Sequence, residues 1–183
     1  RPLPLAPLSA LLALLLGTAE SLGGLLGSAF LPHALNTTLR TVGAVLAALG
    51  QRGVGAGAAG GVAAADGVDP EAVESFLHAA LCVLDIASDP PIHKGAERAA
   101  LLDQVLSAIS PASLGQLLLP SHEHSLSPPR RAQLFAVVGR VLHAHAKPLR
   151  ARADAAAALF ALLRHGLAAP EDAQGFRACI RTV

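Results

Sequence analysis

Asp69-Pro70-Glu71-Ala72-Val73-Glu74-Ser75-Phe76-Leu77-His78-Ala79-Ala80-Leu81-Cys82-Val83-Leu84 is the stretch on which the fold turns. Asp69 can cap orphan amides, Pro70 lacks an N–H that would be unpaired in a first turn anyway, and Glu71 sits at the positive end of the dipole. Val73, Phe76, Leu77, Ala80, Leu81 and Leu84 then recur at spacings of three and four, which places them on one buried face of a helix. Asp89-Pro90-Pro91 ends the segment.

The same grammar continues toward the C-terminus. A helix is expected from about Gly95 to Ser110, with Leu102, Val105, Leu106 and Ile109 inward and Glu97, Arg98 and Asp103 outward. Ser110-Pro111 and Ser127-Pro128 both read as helix starts, the first opening a short helix that stops before Pro120. Arg131 to Lys147 carries Leu134, Val138, Val141 and Leu142 on one face, and Pro148 is expected to force a turn before a long helix from about Leu149 to His165. Pro170-Glu171-Asp172 opens a last helix holding Phe176, Cys179 and Ile180.

Toward the N-terminus the pattern is less sharp. Asn36 or Thr37 is expected to cap a helix running to Leu49, with Leu39, Val42, Val45, Leu46 and Leu49 as its stripe and Gly50 as its stop. Ser21 to Ala29 is rich in glycine, and each glycine weakens a helix by about 1 kcal/mol relative to alanine. Pro2 to Ala19 holds no charged residue. It reads as a buried helix with Pro7 in its first turn and Gly17 at its end, with a secretory signal and a membrane span as the alternatives. Gly53 to Gly67 collapses to glycine, alanine and valine and reads as a linker.

Composition agrees with helices throughout. Of 183 residues, 52% are hydrophobic, only 3% aromatic and 15% charged, which is too apolar for a disordered chain and too poor in β-branched and aromatic residues for a sheet. The expectation is an all-α fold, an irregular array or bundle of about seven to nine short antiparallel helices. It divides into an apolar N-terminal helical hairpin region over 1–50, a Gly/Ala-rich linker over 51–68 and a helical bundle over 69–183. No period of 30 to 45 residues aligns the helices, so a regular solenoid is not expected. The chain has no Met and reads as a mature product or a fragment of a longer protein.

A formal net charge of +1 and the scarcity of stacking aromatics argue against a nucleic-acid partner. Arg130, Arg131, Lys147, Arg150, Arg152 and Arg164 read as a solvated basic scatter. Eight histidines are more than a chain of this size needs, which raises the question of a metal site. His78 and Cys82 lie four apart on one helix but share their face with core residues, and no further ligands are evident. His143 and His145 project to different sides. His122-Glu123-His124 reads as a solvated loop with little influence on stability, with a weak metal site or a pH sensor as the alternative. No nucleophile elbow, phosphate-cradling loop or metal set is present, so the expectation is a non-enzymatic module with no catalytic residue, no cofactor and no metal.

Two features bear on setting. Asn36-Thr37-Thr38 is a glycosylation sequon, and Cys82 and Cys179 could form one disulfide in an oxidising compartment or remain two thiols in a reducing one. From Val68 to Gly166 the order of parts, including Arg98 to Ser110, Arg131-Ala132-Gln133-Leu134 and Pro148-Leu149, resembles the helical half of the autoproteolysis-inducing, juxtamembrane module of polycystin-type and adhesion receptors. The resemblance implies an extracellular, glycosylated, non-catalytic subdomain of a receptor stalk. Its partner would be another protein or a neighbouring domain of a larger chain, near a membrane. The module's cleavage tripeptide does not occur in the chain, so self-cleavage is not implied. The competing expectation is a cytoplasmic armadillo- or HEAT-like helical scaffold.

Overall fold

The computed structural model describes residues 5–22, 27–52, 69–89, 97–119, 122, 124–169 and 172–182. Among them run eight α-helices and no strand: α1 (Leu5–Leu22), α2 (Gly27–Arg52), α3 (Pro70–Ala87), α4 (Glu97–Ala108), α5 (Pro128–Ala144), α6 (Ala146–Arg150), α7 (Ala153–Leu167) and α8 (Ala173–Thr182). The fold is all-α. The linker expected over 51–68 begins with two residues that belong to α2, and its remainder lies outside the described residues.

α3 begins as its sequence dictates. The Asp69 side chain accepts the Glu71 amide at 3.0 Å and Pro70 occupies the first turn. Val73, Phe76, Leu77, Ala80, Leu81 and Leu84 are all buried, and α3 is central because α1 packs on one part of it and α5 on another. α2 packs on α4, while α5 is clasped by α7 and α8. The apolar residues of all these elements form a single core.

Four expected boundaries move. Asn36 caps nothing, because α2 runs unbroken from Gly27 through Pro32 and Asn36. Pro32 lies near the N-terminal end of α2, where a proline forfeits one intrahelical bond. Burial of Leu35, Leu39, Val42, Leu46 and Leu49 sustains the rest of the helix. α1 likewise continues past Gly17. The segment after Ser110-Pro111 forms successive turns and one 3-10 turn at Gln116–Leu118 in place of an α-helix. Pro148 does not turn the chain: it stands in the first turns of α6, where its missing N–H is cheap, and the breaks fall instead at His145 and at Ala151-Arg152.

Close approach of α5 to α8 depends on glycine. A Cβ on Gly139 would lie 2.6 Å from Thr182 Oγ1. One on Gly166 would overlap the Cys179 sulfur and the Phe135 ring. Any larger side chain at either place would push the helices apart.

Candidate functional site

The chemistry-bearing residues concentrate on the seam between α3 and α5. Glu74, His78 and Cys82 follow one another at intervals of four along α3, so they project from one stripe. Opposite them the start of α5 supplies Ser127, Arg130 and Gln133. Arg130 is the hub: its Nε donates to Glu74 Oε1 at 2.9 Å, and its Nη1 reaches His78 Nδ1 and Gln133 Oε1, each at 2.8 Å. Ser127 Oγ donates to Glu74 Oε1 at 3.0 Å, and Gln133 Nε2 donates to Cys82 Sγ at 3.3 Å. His78 Nδ1 lies 3.8 Å from that sulfur.

His78 is therefore exposed and Cys82 half-buried, a correction to the reading that placed their shared face in the core. The stripe is rotated just off the apolar one, at its polar border. Because a guanidinium can only donate, His78 Nδ1 is the acceptor of that contact. The arrangement is a charge-assisted clamp between two helices. Among the described residues, no three His, Cys, Asp or Glu side chains come together as a metal would require.

Three further ion pairs join distant elements. Arg131 Nε lies 2.7 Å from Asp172 Oδ2, Arg140 Nε lies 2.8 Å from Asp85 Oδ1, and Arg152 pairs with Asp103. The basic scatter expected to be solvated thus supplies inter-helix pairs through Arg130, Arg131 and Arg152. No sequence signal identifies these partners, which lie about 40 to 60 residues apart.

The histidine loop also differs from expectation. His122 is buried, only 5% exposed. Its Nε2 lies 3.1 Å from the Gly50 carbonyl near the end of α2, and its Nδ1 accepts the His124 amide at 3.1 Å. Both contacts are satisfied together when Nε2 carries the proton. His145 is also buried and sets its Nε2 3.1 Å from the carbonyl of Ser88, the residue that ends α3. His143 is exposed and points elsewhere. Two buried imidazoles thus tether helix C-termini, where carbonyls lack intrahelical donors.

Cys82 and Cys179 are free thiols. Cys82 contacts Gln133, while Cys179 lies where α8 meets Gly166 and Phe135. Residues 133 and 135 face roughly opposite sides of a helix, so α5 stands between the sulfurs. Burial, and secondarily the Asp172 carboxylate, push the Cys179 thiol up from its usual 9.0 to about 11. Asn36 stands mid-helix and half-buried, its Oδ1 without a partner among the described residues. The hydroxyls of Thr37 and Thr38 donate back to the His33 and Ala34 carbonyls at 3.2 and 2.8 Å.

The largest departure from ordinary surface chemistry is on α1. Leu5 and Leu12 are buried, but Ala6, Pro7, Ala10, Leu11, Ala13, Leu14 and Gly17 are exposed and no charge interrupts them. Leu11 and Leu14 are 64% and 66% exposed. Among the described residues no helix is long and apolar enough to cross a membrane. The sequence is charge-free in this region, and that signal pointed to burial without showing which side would be left open. Phe160 on α7, 58% exposed, borders a second apolar groove with Leu142, Leu149 and Ala156.

In comparisons with known proteins, the chain matches no family model, no curated protein and no solved structure.

Proposed function

We propose that the chain is a non-enzymatic helical interaction module whose outer α1 face docks on another protein or on a neighbouring domain of a longer chain. The supporting observation is that face itself. A helix surface holding Leu11 and Leu14 in water, with no Lys, Arg, Asp or Glu from Leu5 to Ala19, is apolar on its outer side as well as its inner one. Such a helix is ordinarily covered on both sides. The clamp at Glu74, His78, Cys82, Arg130 and Gln133 has a structural part in this reading, holding α5 to the helix on which α1 rests.

Gel filtration of extracts from cells making the protein tests the reading. The wild-type chain is expected to elute well above the size of its 18.5 kDa, and a variant with Leu11→Glu and Leu14→Glu at the size of the free chain. Elution of both as free chain contradicts docking on a separate protein.

The extracellular receptor-stalk setting is proposed on the resemblance and the Asn36 sequon, with the cytoplasmic scaffold as its rival. Secretory expression should add a glycan mass that Asn36→Gln lacks. Because the sequon lies within α2, the modification would have to precede closure of that helix. An unmodified Asn36 favours the scaffold.

A further inference from the structure

A cavity of about 460 Å³ lies between the start of α5, the α7–α8 turn and Leu118. Gly166, Ala168, Ala169 and Ala173 contribute little side-chain volume to its wall, beside the buried Phe135. Its volume falls in the range of small-molecule sites, which combine an apolar lining with a few polar groups.

The described polar side chains of the wall are Arg131, His165, Asp172 and Gln174, and the Arg131–Asp172 pair bears most directly on the charge such a ligand carries. Asp172 is nearly buried and fully engaged: its Oδ1 accepts the Gly175 amide at 3.1 Å, and its Oδ2 faces Arg131 Nε at 2.7 Å. It has little left to offer a cation. Arg131 is in the opposite position. Its Nε meets Asp172 at ion-pair distance but off hydrogen-bond geometry. Among the described residues its two terminal nitrogens have no hydrogen-bond partner, and the side chain is part-exposed at the cavity wall. Two parallel N–H groups in a guanidinium match the two oxygens of a carboxylate. One arginine already balanced by one aspartate suits a monoanion better than a phosphate dianion.

We propose that this cavity binds a small amphiphilic monocarboxylate, its flat apolar body against the alanine and Phe135 wall and its carboxylate on the free edge of Arg131. The site is independent of the α1 face.

Calorimetric titration with 2-naphthoate and with uncharged 2-naphthamide tests this on the unmodified protein. Saturable binding of one naphthoate is expected, about tenfold tighter than the amide, as loss of a charge-assisted pair would give. Arg131→Gln should bring naphthoate down to the level of the amide. Ala169→Trp, which fills the cavity and leaves the Arg131–Asp172 pair in place, should abolish binding of both while the helical circular dichroism persists. Equal affinity for the two probes, no saturable binding, or undiminished binding by folded Ala169→Trp protein would each overturn the proposal. The comparison of probes needs no variant, so it stands even where a substitution prevents folding.

Discussion

His122 and Cys179 show how much a single side chain's surroundings matter. In the sequence His122 sits in a polar run before two prolines, and nothing local tells that Gly50 will arrive 72 residues away to accept from it. Once buried with both ring nitrogens engaged, it can be removed only by leaving the Gly50 carbonyl and the His124 amide unmatched. His122→Ala is expected to cost about 1–3 kcal/mol in urea unfolding, against a few tenths for His124→Ala. Equal and negligible effects would show that the imidazole does not hold the loop to α2. For Cys179 the expected behaviour is inertness: maleimide should label half-buried Cys82 in the native protein and Cys179 only on unfolding. The raised thiol pKa also carries a sign. Its folded value lies above the unfolded one, so its stabilising contribution is complete below about pH 9 and is lost as pH rises through about 11. Wild-type protein should lose on the order of 2 kcal/mol more than Cys179→Ala across that interval.

Among the elements, what could be read in the sequence was whatever local chemistry decides. The Asp69 cap, the α3 stripe and the proline at the start of α5 all hold in the structure. Asp69→Ala should therefore cost about 1 kcal/mol, measurable by thermal or urea melts, with a change below a few tenths contradicting the capping role. What was not legible depends on packing between elements. Pro148 looks like a break in isolation, but a proline in the first turn of a helix costs little, and buried leucines decide where the helix ends. Gly17 resembles a stop for the same reason. The inter-helix arginine pairs were hidden because ion-pair spacing is informative only within one helix. The polar border of α3 was legible in its spacing, since 100° per residue already turns Glu74, His78 and Cys82 away from the apolar stripe, but the α5 residues that meet it were not.

In the whole molecule, α3 carries α1 on one side and α5 on the other, while α2 meets the C-terminal part through α4, and the α3–α5 seam is held by the Arg130 clamp. Surface pairs of this kind contribute little singly, so Arg130→Ala should lower stability by no more than about 1 kcal/mol. The apolar contacts beneath do the main work, with each buried leucine or phenylalanine contributing roughly 1.5–3 kcal/mol. Gly139→Leu should consequently be far worse than Arg130→Ala, because it forces α8 off α5 at Thr182. Comparable melting temperatures for the two variants would contradict that ordering.

The molecule's outer surface is unusual at α1, and docking through that face is most directly tested by site-specific photocrosslinking in cells. A benzophenone side chain placed at position 11 or 14, with position 177 on the exposed side of α8 as control, should yield a discrete protein adduct from the first two sites and not from the third. Adducts confined to lipid, equal adducts from all three positions, or none from α1 would contradict a protein-docking role for this face.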